Sequence, residues 1–238
     1  MSSGEAELRQ RFATRTERYA HRELVLDVLL PRSADALIDE SEFNTDERLP
    51  YWADLWPSAR ALARHLLDNA PPGGRVLELG CGVALPSLVL LARGADVLAT
   101  DYYPDALRFA EVNALRNALP PLRTALMDWR APSTLGVFDL VLAADVLYER
   151  RNADTLAGLL PRVLAPAGRI LLADPGRVYL GAFREQMETA DWVLTEAEVR
   201  EEISDPATGA VSRVRIFDLQ RGHSARRVRR RSARPKET

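Results

Sequence analysis

Arg75-Val-Leu-Glu-Leu79 runs straight into Gly80-Cys81-Gly82, and an apolar segment from Leu85 to Ala92 follows. A short run of Val and Leu buried on both faces reads as a strand of a parallel sheet, and the apolar stretch after it as a helix. The same alternation repeats downstream. Gly94 ends that helix, Ala95–Thr100 is a second strand ending at Asp101, and Pro104 opens a helix reaching about Asn117. Leu122–Met127 is a third strand and Phe138–Ala143 a fourth. A helix over about Asn152–Leu164 leads to a fifth strand, Arg169–Ala173. After a helix at Leu180–Ala190, strands Trp192–Ile203 and Arg213–Leu219 are joined by a turn at 205–209, which predicts an antiparallel hairpin at one sheet edge. The expected architecture is α/β: a Rossmann-like, doubly wound, mostly parallel seven-stranded sheet with a C-terminal antiparallel hairpin.

Upstream, residues 1–20 are charged and compatible with a helix, and His21–Leu30 alternates as a strand that Pro31 ends. Ser33–Arg48 is acidic and loop-like, with a short helix expected at Ala34–Ile38. Ser58 is a candidate N-cap for a helix over Ala59–Leu67. These segments divide the chain into an extension at 1–48, contributing a substrate-side strand and helix, a main domain at 49–220, and a basic tail at 221–238. The tail holds seven arginines and one lysine against one glutamate, a local +7. That leaves the other 220 residues at −9 within an overall charge of −2. The acidic body and basic tail attract different partners, and clustered arginines supply weak nucleic-acid or acidic-partner affinity. A solubilising terminus is the simpler role for the tail, which lacks aromatic residues for base stacking.

The 238 residues are 47% hydrophobic and 28% charged, enough apolar material for a core, which excludes a disordered or disulfide-stapled class. One cysteine, Cys81, allows no internal disulfide, and Met1–Gln10 carries no apolar run, so a cytoplasmic location is expected. Three scattered histidines and one cysteine offer no metal-ligand spacing. His65 is expected at the surface or in packing.

In doubly wound sheets, ligands sit outside the carboxyl ends of the strands. Glu78 to Gly82, Asp101, Asp128-Trp129 and Ala144 to Tyr148 gather there. Gly80 and Gly82 let backbone approach a ligand closely, with Cys81 between them as a compact packing residue. Asp101 lies 21 positions after Gly80, the spacing that puts a carboxylate on a ribose hydroxyl. Three features oppose a dinucleotide. Leu85 stands where G-x-G-x-x-G has its third glycine. Glu78 adds negative charge that repels a diphosphate and suits cationic groups. Asp128 accepts from an exocyclic amine, while Trp129 offers a face to a purine. The ligand these residues fit is S-adenosylmethionine, with its ammonium, sulfonium and adenine.

The chain resembles the class I, seven-strand, S-adenosylmethionine-dependent methyltransferases, and within them the group holding many protein-lysine methyltransferases. The resemblance covers about Leu49 to Asp174. It rests on Leu55-Trp56-Pro57, Val76 to Gly82, Thr100-Asp101, Asp128-Trp129, Phe138 to Asp145, and the Asp145-x-x-Tyr148 signature. It implies that Trp56, Gly80, Gly82, Asp101, Trp129 and Ala144 contact the cofactor. The segment Pro50 to Arg64 is similar to the electron-transfer-flavoprotein β-subunit lysine methyltransferases. It departs from them at Pro57-Ser58-Ala59, where those enzymes tend to carry a glycine pair, so their particular substrate does not carry over.

An amine nucleophile must be neutral to attack, and a lysine starts near pKa ~10.4, so the site must assist deprotonation or select the neutral form. Asp145 is placed to accept a hydrogen bond from the acceptor nitrogen. Tyr148 lies on the same face if a helical turn begins there, and Trp56 and Tyr51 offer cation–π faces to a methylated ammonium. The expected acceptor is a lysine of a partner protein, with a small-molecule N- or O-acceptor as the alternative. The region Val25–Trp52 and the 205–209 turn are expected to frame its opening. A nicotinamide oxidoreductase is disfavoured by Leu85, and a non-catalytic binding module needs no Asp145-x-x-Tyr148.

Overall fold

Val76 and Leu77 bury their side chains in two different apolar layers, as do Leu140 and Val141 in the run that starts at Phe138. Such alternation means that both faces of the sheet are covered. The computed structural model describes residues 2–34, 37, 50–69, 73–132, 135–205 and 208–222. Its large sheet contains β3 (Arg75–Leu79), β4 (Asp96–Asp101), β5 (Arg123–Leu126), β6 (Phe138–Ala144), β7 (Leu164–Asp174), β8 (Trp192–Asp205) and β9 (Ala210–Arg221). The spatial order is β5-β4-β3-β6-β7-β9-β8. The β4–β5, β3–β4, β3–β6 and β6–β7 pairs are parallel, and β9 runs antiparallel to both β7 and β8. This is the architecture expected from the sequence.

One face packs α2 (Pro57–Asp68), α3 (Leu85–Ala92) and α4 (Pro104–Arg116), and the other α5 (Arg150–Val163) and α6 (Leu180–Thr189). Helix α2 starts one residue before the expected cap. Pro57 occupies its first turn, Trp56 is the N-cap residue, and the buried Ser58 hydroxyl lies inside the helix with no partner among the described residues. A proline preset to helical φ replaces the serine cap. His65 is buried on α2, its Nδ1 2.6 Å from Glu198 Oε2 on β8.

The N-terminal segment departs most from expectation. Helix α1 covers only Ser3–Arg11, and Thr14–His21 is a strand, β1, paired antiparallel with β2 (Leu24–Pro31). Only Tyr19 of β1 is buried, so one polar face hides the strand from a periodicity reading. Asn113 of α4 clasps this hairpin. Its Oδ1 accepts from the Leu29 N–H at 2.7 Å and its Nδ2 donates to the Leu29 carbonyl at 2.9 Å. Asn117 accepts from the Asp27 N–H at 2.8 Å. The helix expected at Ala34–Ile38 lies almost entirely outside the described residues. So does the 221–238 tail, apart from Gly222 and Arg221. Arg221 is the last residue of β9, donating to the Pro161 carbonyl at 2.7 Å. No described helix is long and apolar enough to cross a membrane.

Asn113 is fully buried, so Asn113→Ala leaves the Leu29 N–H and C=O both unpaired inside the protein. The expected loss is about 2–4 kcal/mol of unfolding free energy, measured by urea titration.

Candidate functional site

The carboxyl ends of β3, β4 and β6 surround a cleft of about 1080 Å³ at the point where the strand order reverses. Trp56, Glu78, Gly80, Cys81, Gly82, Asp101, Asp128, Trp129, Ala144, Asp145 and Tyr148 all line it.

The loop after β3 is built on two left-handed glycines, Gly80 at φ +64° and Gly82 at φ +52°. A Cβ on Gly80 would lie 3.2 Å from the Trp129 ring, and one on Gly82 3.1 Å from the Trp52 carbonyl oxygen. The loop therefore needs glycine for both conformation and space. Asp101 pins it: Oδ2 accepts from the Gly82 N–H at 2.9 Å and Oδ1 from the Tyr103 N–H at 3.0 Å. Cys81 is buried, and that burial, reinforced by the nearby Asp101 and Glu78 carboxylates, pushes its thiol well above the usual range. It is a packing residue without nucleophilic character.

Glu78 corrects an expectation. It does not present a free negative charge to the cleft. It is fully enclosed, and its Oε2 accepts from the Ser87 N–H at 3.0 Å and from the Ser87 hydroxyl. Burial lifts its carboxyl to about 8, against the pull of those Ser87 bonds. Ser87 lies in the first turn of α3, whose amide groups would otherwise hold a phosphate. Pro86 beside it has no N–H to give. The chain has filled its own anion site, a stronger argument against a diphosphate than the missing third glycine.

On the far side, Trp129 is half-buried with its ring edge against Gly80, and Met127 is anchored through its N–H to the Asp101 carbonyl at 2.8 Å. The Asp128 carboxylate closes a turn onto the Arg130 N–H at 2.9 Å and pairs with the Arg130 guanidinium at 2.7 Å. Its acceptor capacity is thus already partly used by a neighbour.

At the cleft mouth, Asp145 follows β6 with φ +58°, a strained conformation for a residue with a Cβ. Its N–H bonds to the Ala173 carbonyl at 2.9 Å. No helical turn joins it to Tyr148, since α5 begins at Arg150. Tyr148 reaches the site through an irregular loop and packs edge-on against Tyr51, ring centroids 4.9 Å apart. Tyr51 also meets Trp56 at 6.0 Å and accepts from the Trp56 indole N–H at 2.6 Å through its carbonyl. Three aromatic rings therefore border one buried carboxylate.

Sequence reasoning missed Arg177 and Asp174. Arg177 donates from Nε to Asp145 Oδ1 at 2.6 Å, and its guanidinium carbon lies 5.7 Å from the Trp56 ring centroid. Asp174 ends β7 and accepts from the Gly176 and Arg177 N–H groups. The signal was the Asp174-Pro-Gly-Arg177 turn, charged residues at the carboxyl end of a strand next to β6.

Because burial raises Glu78, the folded protein keeps a proton between about 4.5 and 8 that the unfolded chain releases. The Glu78 contribution to stability is therefore present at low pH and lost as pH rises through that window. Glu78→Gln mimics the protonated side chain. Its Tm is expected to gain on the wild type steadily from about pH 5 to about pH 8 in thermal melts.

A family model described as a methyltransferase domain matches residues 71–217. A Xenopus laevis protein named electron transfer flavoprotein beta subunit lysine methyltransferase is 34% identical over 163 residues, covering 64% of each chain. The Danio rerio protein of that name is 37% identical over 132 residues, covering 54% of this chain and 51% of its own. The chain thus spans between half and two thirds of the length of these relatives. A solved magnesium protoporphyrin IX methyltransferase from Synechocystis PCC 6803, with bound SAM, superposes with a TM-score of 0.55 at 18% identity. That match covers 78% of this chain and 86% of the other. Over most of its length, then, the chain belongs to the methyltransferase domain family.

Proposed function

We propose that the protein is an S-adenosylmethionine-dependent N-methyltransferase acting on a lysine side chain of a partner protein. The carrying observation is a single cleft that joins a loop closed to phosphate with a buried carboxylate bordered by Tyr51, Trp56 and Tyr148. When bound, S-adenosylmethionine supplies an activated methyl group. The residues fit it: Gly80 and Gly82 leave a cradle that a Cβ would fill, and Trp129 offers its ring to adenine. Asp101, which holds the loop through the Gly82 and Tyr103 N–H groups, lies where a ribose hydroxyl would reach its carboxylate. Asp128, already gripped by Arg130, is a supporting contact, and Ala144 leaves room beside Asp145.

The chain's own work is positioning and water exclusion, which supply much of the barrier reduction in a reaction of this kind. Asp145 accepts an N–H from the incoming amine and so aims its lone pair. The three rings exclude water, and their faces favour a methylated ammonium. A protein acceptor is supported by the names of the relatives and by the −9 charge of residues 1–220, which draws a lysine-rich surface. Residues 210–214 of β9 run past its last pairing with β7, Asp174 with Arg215, on the cleft's side of the sheet. Together with the paired end of β8 they offer a partner a ledge.

Labelled methyl transfer from S-adenosylmethionine into a size-fractionated cell extract is expected to mark protein. Label confined to small molecules would replace the lysine acceptor with a metabolite. Failure to bind S-adenosylmethionine together with uptake of NADH would remove the reading altogether. Asp145→Ala is expected to cut transfer by about 100-fold or more, while calorimetry finds cofactor affinity unchanged; parallel loss would make Asp145 a cofactor ligand.

A further inference from the structure

We infer that Arg177 is a positioning residue that cancels the charge of Asp145, so that the acceptor subsite takes an amine in its neutral form. The inference rests on the lysine-methylation reading above. The Asp145 side chain is 4% exposed, and its Oδ1 receives the Arg177 Nε at 2.6 Å. Its Oδ2 is buried and has no hydrogen-bond partner among the described residues. One oxygen is committed to a cation and the other has free lone pairs.

A buried carboxylate without a compensating charge would hold a lysine ammonium as an ion pair, and an ammonium has no lone pair with which to attack. With Arg177 in place that attraction is largely spent. Oδ2 still accepts an N–H, and a neutral amine meets this need while keeping its lone pair. Asp174 at the end of β7 and Tyr51 also act on the Arg177 charge, and Tyr148, Glu149 and Arg151 line the same cleft. Burial raises the Asp174 carboxyl above its ordinary value, and Asp174 adds to the field that holds the Arg177 charge.

Arg177 lies on both the Asp145 carboxylate and the Trp56 ring, and the turn that carries it argues against a plug that the substrate displaces. Asp174 Oδ1 holds the Gly176 N–H at 2.6 Å and the Arg177 N–H at 2.8 Å, and Gly176 adopts φ +97°. Arg177 thus projects from a clamped turn, the support expected of a permanent partner.

The test follows labelled methyl transfer by the full chain into the protein fraction of a cell extract, titrated by total protein. Wild type is measured first, and absence of label in protein overturns the lysine reading and this inference with it. With wild type active, Arg177→Gln is expected to lower the plateau rate about tenfold or more without raising the half-saturating amount of protein. Calorimetry should find S-adenosylmethionine affinity unchanged. Arg177→Lys, which restores a cation and one donor, is expected to return the plateau to within about threefold of wild type. A higher plateau in Arg177→Gln would show a plug. Joint loss of rate, half-saturation and cofactor binding would show a structural role. If Arg177→Gln does not fold, Arg177→Lys decides alone: a folded but inactive lysine variant overturns the inference.

Discussion

The bond between Glu78 and the first turn of α3 sets what the cleft can hold. A strand, a glycine turn and a helix N-terminus normally make an anion site, because the first amide groups of the helix have no partner within it. Here the carboxyl group comes from the strand itself and takes the Ser87 amide and hydroxyl. The common phosphate-binding geometry is thereby kept in shape but closed in chemistry. The rest of the cleft is lined by the glycine backbone, aromatic rings and the loop-holding Asp101.

The sheet was legible because its evidence is local. Runs such as Phe138–Ala144 are apolar on both faces, and each is punctuated by Gly, Pro or Asp at its end. The strand-tip residues were legible for the same reason, since a doubly wound sheet delivers the carboxyl ends of its parallel strands to one side. The β1 strand was not. Only Tyr19 of Thr14–His21 is buried, so the strand's identity depends on pairing with β2 and on the clasp from α4.

The site's second charge escaped for a similar reason. Asp145 and Arg177 are 32 positions apart and meet only because β6 and β7 are neighbours in the sheet. Spacing along the chain carries no trace of that adjacency. The reading of Glu78 went wrong through burial: the sequence shows a carboxyl group beside a loop, whereas its depth and its Ser87 donors decide its charge. Motifs locate such groups well, and their protonation is a property of the packed protein.

Asn113 has a further reach. Beside its two bonds to Leu29, its amide lies 3.5 Å from the Val83 carbonyl, one residue beyond the glycine turn. One side chain thus ties the amino-terminal hairpin to the ligand loop. Trimming the chain back to the segment matched by the methyltransferase family would strip away that hairpin and leave the Asn113 amide facing a void. The hairpin thus bears on the ligand loop through one side chain, although it lies ahead of residues 71–217.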